Sequence, residues 1–265
     1  MRQVFALFVV TLLVISGAGA YTDVAYSKQW IRKTPVHVVT ANLNSPNVKV
    51  SPAIARNGIG TSEGFGSMLS RLQPSAAITG TYFCIKRLVP VGDIVVDSRL
   101  VNLGCVGTGV CFTEDNRVVF QPIDKGKPTD WTGYTSVLCT GPRLVANGIP
   151  HVAPWAEGFN DPAHYRMARR SALGVTRNNK LLLATVNRPI YLSRFAKIMR
   201  DLGAVNAVSL DGGTSTALYC KGRVLSHPGR RLTNLLVVYE SPTKFASIKA
   251  ELAPSAIAAT PSSKS

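Results

Sequence analysis

The chain has 265 residues, of which 46% are hydrophobic and 17% charged, and this balance excludes an intrinsically disordered protein. Its 30 lysines and arginines outnumber its 14 acids, and the resulting net charge of +16 favours anionic partners such as nucleic acid, acidic glycans, lipid headgroups or phosphorylated substrates, without choosing among them. The basic residues are dispersed rather than gathered in a long run or interleaved with aromatic residues, so we expect no specific nucleic-acid binding.

Residues 1–20 have the pattern of a secretory signal peptide. Arg2 precedes an apolar run over residues 4–15, and the small residues that end at Ala20 offer a signal-peptidase site. The alternative is an uncleaved membrane anchor, but the run is shorter than the roughly 20 residues that span a bilayer. We therefore expect a secreted or periplasmic protein that keeps no transmembrane anchor after cleavage.

The next part of the chain, residues 21–75, is predicted to hold a lead and the first strands. The lead is basic and covers residues 21–34, and residues 36–39 form an extended run. Residues 48–50 are expected to form its hairpin partner or a neighbouring strand, and a short helix is expected over residues 68–72. These elements should join the segment that follows in one globular unit, residues 21–240.

Residues 76–240 are predicted to form the main domain, rich in antiparallel hairpins. Apolar segments flank turn signals at residues 97–98 and 114–116, and each of these patterns predicts a hairpin. A third turn at residues 177–180 leads into a strand over residues 181–186. The third quarter of the chain also contains a long polar loop, which is uncommon inside a compact domain unless it has a function.

The clearest helix lies between two predicted strands. Its apolar positions follow helical spacing, and they are Leu192, Phe195, Ala196, Met199 and Leu202. Gly203 is placed to end the helix, and residues 207–210 form the next strand. Strand, helix and strand together have the length of a βαβ unit, which predicts a parallel pair with a right-handed crossover. We therefore predict an α+β fold: a mixed β-sheet core with a βαβ unit and antiparallel hairpins in a single domain.

The last segment, residues 241–265, is rich in alanine, serine, proline and lysine. This composition predicts a disordered tail. The alternative within it is a frayed helix over residues 244–252.

Patterns typical of metal sites are missing from the sequence. Its five cysteines form no CxxC pair, and its four histidines are scattered. We therefore predict neither a metal site nor a cofactor. The odd number of cysteines leaves at least one outside any intramolecular disulfide.

Few carboxylates are placed for chemistry, since most acids fall in predicted turns, on the helix or near the chain ends. The acids that remain are Glu63, Asp93, Glu157, Asp161 and Asp211. Among them, Asp211 ends a strand just before Gly212 and Gly213, which let backbone amides approach an anion. The alternative is a tight turn in which the Asp211 side chain bonds its own backbone.

Three hydroxyl residues follow the two glycines: Thr214, Ser215 and Thr216. They are candidates to donate hydrogen bonds to a ligand without adding charge, or they are ordinary strand residues. Ser215 lacks the GxSxG pattern of a nucleophilic serine, and no Walker sequence is present. The segment therefore favours ligand binding beside a carboxylate over serine or nucleotide chemistry.

Five segments resemble, in the same order, blocks of the phosphodiester glycosidase family. They are GTYF at 80–83, PVGD at 90–93, GPRL at 141–144, RSALG at 170–174 and DGGTST at 211–216. The resemblance covers about residues 76–240, and five ordered blocks are far more specific than one. It implies an exported hydrolase that cleaves sugar-1-phosphodiesters between the anomeric carbon and the phosphate oxygen.

The resemblance also suggests roles for individual residues. Arg170 and Arg231 are candidates to bind the departing phosphate, because a planar guanidinium fits phosphate oxygens. Asp211 is the candidate for a carboxylate that stabilises an oxocarbenium-like centre or activates water, and Glu157 or Asp93 is the candidate for a second. The remaining candidates to bind substrate are Gly212, Gly213, Thr214, Ser215, Thr216 and Asn234.

Two other functions stay open at this point. The first is a non-catalytic protein that binds anionic glycans or cell-wall polymers through its positive charge. The second is a phosphodiesterase that cuts the bond between phosphorus and oxygen. The expected partner of the enzyme itself is a phosphorylated sugar or an anionic glycan polymer.

Overall fold

The computed structural model describes residues 22–124 and 126–254, so the predicted signal peptide lies outside the described residues. The helices are α1 (Phe65–Leu72), α2 (Leu192–Asp201) and α3 (Pro242–Leu252), and short 3₁₀ turns cover Trp155–Glu157, Pro162–Tyr165 and Gly213–Ser215. The strands are β1 (Val24–Ile31), β2 (Thr34–Asn42), β3 (Lys49–Ile54), β4 (Ala76–Thr79), β5 (Phe83–Cys84), β6 (Val89–Pro90), β7 (Ile94–Val96), β8 (Arg99–Asn102), β9 (Thr108–Phe112), β10 (Val118–Pro122), β11 (Ser136–Thr140), β12 (Arg143–Ala146), β13 (Ile149–Pro150), β14 (Ala168–Thr176), β15 (Lys180–Ile190), β16 (Ala204–Leu210), β17 (Leu218–Cys220), β18 (Arg223–Ser226) and β19 (Asn234–Tyr239).

Three large sheets and one two-stranded ribbon hold these strands. The seven-stranded sheet has the order β1-β2-β15-β14-β16-β12-β13, and the five-stranded sheets have the orders β10-β9-β11-β7-β8 and β18-β17-β4-β19-β3. The named strand pairs of the described residues are all antiparallel. With three helices packed on these sheets, the predicted α+β class is confirmed.

Helix α2 lies where the apolar spacing predicts it. Its apolar face is buried against the seven-stranded sheet, and Gly203 follows it in the left-handed region with φ of 93°. The strands on either side, β15 and β16, do not form the expected parallel pair, because β14 lies between them and pairs antiparallel with both. The turn after β14 joins it to β15 as a hairpin, so the place beside β15 is taken by β14 and not by β16.

The two ends of the chain differ from the sequence-based expectation. The basic lead forms strand β1, which pairs with β2 along its length through a turn at Arg32 and Lys33. Strand β1 lies at the edge of the sheet, where half of its residues face solvent, so its composition is polar. The predicted partner of β2 at residues 48–50 instead starts β3, which pairs with β19 in another sheet.

The predicted tail begins with an ordered helix. Helix α3 is capped by Ser241, whose hydroxyl accepts a hydrogen bond from Lys244 N at 3.2 Å. Ile248 and Leu252 are buried in the main core, and this burial stabilises the segment in spite of its polar composition. Residues 255–265 lie outside the described residues. Within the described part of the chain, no helix has the length and apolar character needed to cross a membrane.

Two of the sheets meet at the end of strand β16. The Asp211 N–H donates a hydrogen bond of 2.9 Å to the Gly80 carbonyl, and Gly80 directly follows β4 in a five-stranded sheet. The segments after both strands therefore reach the same place in the molecule. The turn after β16 and the GTYF segment form one wall of a cavity there.

Candidate active site

A cavity of about 550 Å³ opens at this meeting of the two sheets. Its walls come from the GTYF segment, the turn after β16, the long loop before β14, and Arg230 from the loop before β19. Arg170 reaches the cavity from β14. Of the described residues that line it, Asp161 and Asp211 are the acids.

Asp211 combines burial with a place in the cavity wall. It is 5% exposed, and its burial raises the pKa of the carboxyl to about 6, although hydrogen bonds from Ser215 and Gly212 and the charge of Arg230 act in the opposite direction. The bond from Gly212 N measures 2.8 Å. Both interpretations of the sequence therefore apply, since Asp211 bonds its own turn and also lines the cavity. A carboxyl group with this pKa exchanges a proton near neutral pH.

The turn after Asp211 divides its residues between the cavity and the protein interior. A Cβ on Gly212 would lie 2.8 Å from the Arg169 carbonyl oxygen, so only glycine fits without movement, and Gly213 has a left-handed φ of 57°. Gly212, Gly213 and Thr214 line the cavity, as the sequence suggests for ligand binding. Ser215 and Thr216 are fully buried and lie outside the cavity lining.

Arg170 is a buried cation that neutral carbonyl groups hold in place. It is 4% exposed, its Nε donates to the Ile190 carbonyl at 3.1 Å, and its Nη2 donates to the Arg166 carbonyl. Among the described residues, no carboxylate forms an ion pair with it. Burial lowers the pKa of Arg170, but an arginine keeps its proton at neutral pH. A buried guanidinium held only by neutral carbonyls favours an anionic ligand.

The second arginine of the cavity is Arg230 rather than the predicted Arg231. Arg230 Nε donates to Ser215 Oγ at 2.6 Å, and its guanidinium carbon lies 5.0 Å from the centre of the Phe83 ring. Arg231 is exposed and donates to the Ser62 carbonyl instead. The two arginines lie in the loop between β18 and β19, and their different partners turn one towards this cavity and the other towards Ser62.

Asp93 lies outside the cavity and has a structural environment. It is 0% exposed, and one carboxylate oxygen accepts hydrogen bonds from the backbone N–H groups of Gly104 and Cys105 at 2.7 and 2.8 Å. The other oxygen accepts from Trp131 Nε1 at 2.9 Å. These three donors hold a loop in place, and they leave the carboxylate no contact with the cavity.

Glu157 and Asn234 also lie outside the cavity lining. Both Glu157 carboxylate oxygens accept from the Arg143 backbone N–H, at 3.0 and 2.9 Å, while burial raises the pKa of this carboxyl. Asn234 Oδ1 accepts from Thr81 N at 2.7 Å, and a Cβ on Gly80 would lie 1.8 Å from the same oxygen. Asn234 thus fixes the segment that leads into Tyr82, whereas Glu157 fixes the start of β12.

Sequence reasoning missed the aromatic wall of the cavity. Tyr82, Phe159 and His164 pack together, with ring centres 5.0 Å apart for Tyr82 and His164 and 5.4 Å apart for Phe159 and His164. The Tyr82 hydroxyl bonds Ser209 Oγ at 3.0 Å, and burial raises the pKa of Tyr82. Burial lowers the pKa of His164. Two signals pointed here, because Tyr82 belongs to the GTYF segment and the other two belong to the unusually long loop.

The geometry supports proton transfer next to a bound anion. Asp211 supplies a carboxyl group with a pKa near neutrality, and Arg170 and Arg230 supply positive charge that no carboxylate in the described residues neutralises by an ion pair. No group of three or more potential metal ligands occurs in residues 22–124 and 126–254. The arrangement is suited to acid–base chemistry on a substrate that carries phosphate.

Comparisons with known proteins bear on the family and the fold of the chain. A family model described as phosphodiester glycosidase matches residues 73–239, whereas no curated protein matches the chain. The zebrafish N-acetylglucosamine-1-phosphodiester alpha-N-acetylglucosaminidase catalytic domain has 19% identity and a TM-score of 0.64, with 82% of each chain covered. A hypothetical protein from Synechocystis has 18% identity and a TM-score of 0.68, and the match covers 81% of this chain but only 61% of that protein.

A Burkholderia pseudomallei K96243 protein described as exported has 15% identity and a TM-score of 0.60, with 78% of this chain and 74% of that protein covered. At these identities the three structures establish a shared fold. The family model carries more information, since it spans well over half of the chain and includes all five sequence blocks. The chain therefore belongs to the phosphodiester glycosidase family.

Proposed function

We propose that the chain hydrolyses sugar-1-phosphodiesters at the bond between the anomeric carbon and the phosphate oxygen, which releases a sugar and a phosphomonoester. Family membership supports this reaction class, and the zebrafish relative is named for an N-acetylglucosamine-1-phosphodiester. The observation that carries the proposal is a buried carboxyl of raised pKa, Asp211, in one cavity with Arg170 and Arg230.

The two arginines suit the leaving group of this reaction. A phosphomonoester departs as a stabilised anion, so cleavage needs positive charge at the phosphate more than it needs a strong general acid. Arg170 is fixed by two carbonyls, and Arg230 is fixed by Ser215 and the Phe83 ring. Fixed guanidinium groups can stabilise the departing charge without reorganising during the reaction.

Asp211 is proposed to act on the sugar side of the bond. With a pKa of about 6 it is mostly ionised at pH 7, and it can then stabilise an oxocarbenium-like centre or accept a proton from water. Asp161 replaces Glu157 and Asp93 as the candidate for a second carboxylate, because it is the other acid of the described cavity lining. One Asp161 oxygen accepts from Ala163 N at 2.8 Å, which anchors the side chain.

Hydrolysis in ¹⁸O-labelled water tests the proposal directly. The substrate would be an N-acetylglucosamine-1-phosphodiester, run beside a panel of other sugar-1-phosphodiesters, and the products would be analysed by mass spectrometry. We expect the label in the sugar, since the bond that breaks joins carbon to oxygen. Label in the phosphate would instead establish a phosphodiesterase, and retention of the ligand without any product would establish a binding protein.

We further propose that the protein acts outside the cytoplasm. The apolar segment near the start of the sequence supports export, as does the description of the Burkholderia relative as exported. Determining the first residue of the protein purified from its native cells tests this, with Tyr21 expected. A protein that keeps residues 1–20 and stays in the cytoplasmic fraction would contradict it.

A further inference from the structure

A second cavity lies beside the candidate active site. It measures about 470 Å³ and shares Arg230 with the first cavity. Its walls come from residues 64–66 at the start of α1, from Val224 and from the loop over residues 227–231. Arg230 therefore forms part of the boundary between the two spaces.

The loop that separates the cavities is fastened to the active-site turn. Gly229 N donates to the Thr214 carbonyl at 2.7 Å, and Arg230 Nε donates to Ser215 Oγ at 2.6 Å. Both acceptors belong to the segment that follows Asp211. The second cavity thus has a fixed position relative to the first, which a substrate spanning both would require.

Arg231 adds a second positive charge to this cavity, beside the shared Arg230. Its Nε and Nη2 both donate to the Ser62 carbonyl, at 3.3 and 2.8 Å, which fixes the guanidinium without neutralising it. None of the described lining residues is acidic. The acid closest in sequence to this wall, Glu63, is paired with the buried Arg71 at 2.7 Å. Arg231 is therefore an oriented cation whose remaining Nη1 group can bind an anion.

We propose that the substrate is a polymer with repeated phosphodiester linkages, in which the linkage to be cleaved binds Arg170 and Arg230 while the next phosphate along the chain binds Arg231. A single sugar-1-phosphodiester would occupy only the first cavity. Two adjoining cavities with consecutive arginines fit successive phosphates, and the net charge of +16 favours a polyanion. This inference rests on the proposed function and extends it to a substrate class.

The test compares two substrates that have the same terminal sugar and the same first linkage. One carries a single phosphodiester and the other carries three in series. For the unaltered protein, we expect KM to be about tenfold lower for the longer substrate, which is a typical effect of one charge-assisted contact. In Arg231→Gln, the ratio of the two KM values should fall towards one.

Arg177→Gln is the matched control. It removes the same charge from an exposed position in the turn between β14 and β15, outside the lining of both cavities. It should keep the tenfold ratio. Equal KM values for both substrates in the unaltered protein would overturn the inference, and so would an equal loss in Arg177→Gln, which would indicate a general effect of net charge.

Failure of the proposed function would look different. If the single-linkage substrate gives no product, the function fails whatever the ratio is, and calorimetric binding of the three-linkage oligomer then tests the second cavity alone. Binding weakened about tenfold by Arg231→Gln, but not by Arg177→Gln, would support the inference. Equal binding by all three proteins would reject it.

Discussion

Asp93 and Asp211 are both buried carboxylates that lie next to a strand, and the sequence offers Asp211 as the first catalytic candidate and Asp93 as a possible second. Asp93 receives three hydrogen bonds from fixed donors and faces no cavity. Asp211 receives hydrogen bonds from its neighbour Gly212 and from Ser215, lines a cavity, and has a pKa raised by burial to about 6. The comparison teaches that burial alone does not place a carboxylate in a candidate site, since of these two acids Asp211 lines the cavity and Asp93 does not.

The largest expected effect is a loss of activity when Asp211 is replaced. Asp211→Asn should lower kcat/KM for a sugar-1-phosphodiester by about 10³-fold, the usual range for loss of a proton-transferring group. The exposed Asp124, which lies outside the cavity lining, provides the control Asp124→Asn with activity close to that of the unaltered protein. Less than a threefold change in Asp211→Asn would show that Asp211 does not take part in the reaction.

The next largest effect is a loss of stability when Asp93 is replaced. Asp93→Ala leaves one buried and two partly buried donors without their acceptor, so we expect the free energy of unfolding to fall by about 3 kcal/mol. Chemical denaturation followed by fluorescence measures this change. A loss below about 0.5 kcal/mol, the range of ordinary surface substitutions, would contradict the structural role.

The substitutions at the two acids should also have opposite effects on stability: Asp93→Ala lowers the free energy of unfolding, whereas Asp211→Asn raises it at high pH. Because folding raises the pKa of Asp211 from 3.8 to about 6, this group contributes stability that is fully present below pH 4 and is lost as the pH rises through 6. Asp211→Asn removes that dependence. At pH 8 the variant should therefore be more stable than the unaltered protein by about 3 kcal/mol, and the difference should vanish below pH 4.

Denaturation curves of both proteins at several pH values check this prediction, because pH effects from other groups cancel in the difference. A constant difference between pH 4 and pH 8 would mean that Asp211 has an ordinary pKa. Such a result would also weaken the proposed acid–base role.

Glu157→Gln should have the smallest effect. Both carboxylate oxygens accept from one backbone N–H, and a glutamine oxygen can still accept that bond, so we expect a loss of about 1 kcal/mol or less in the free energy of unfolding. The kcat/KM of this variant should stay within about threefold of the unaltered value. A loss of activity comparable to that of Asp211→Asn would show that Glu157 takes part in the reaction.

Local sequence patterns predicted much of the fold. Helix α2 followed from apolar spacing, and the turn between β7 and β8 followed from Asp97 and Ser98, both of which have positive φ in the structure. Strand β1 did not, because its sequence is polar and its stability comes from neighbours distant in sequence. Helix α3 matches the alternative of a helix over residues 244–252 rather than the predicted disordered tail. The position of β14 between β15 and β16 is likewise a long-range choice that local spacing does not encode.

The candidate site was predictable where a residue lies in a recognisable segment. Asp211, Arg170 and the two glycines belong to such segments and line the cavity. Arg230 was missed because spacing alone does not say which of two consecutive arginines faces the cavity. Asp93 and Glu157 were chosen because unpartnered acids look alike in a sequence, whereas their donors come from the backbones of distant residues.

The bond from Asp211 N to the Gly80 carbonyl joins the two sheets directly at the cavity. The carboxyl group is thus attached where two sheets are joined, whereas another wall is a loop that supplies Phe159, Asp161 and His164. In evolutionary terms the two halves of the site are separable. Insertions or exchanges in the loop could give related enzymes new preferences for sugars without displacing the acid, so natural variation in substrate range should concentrate in residues 151–167.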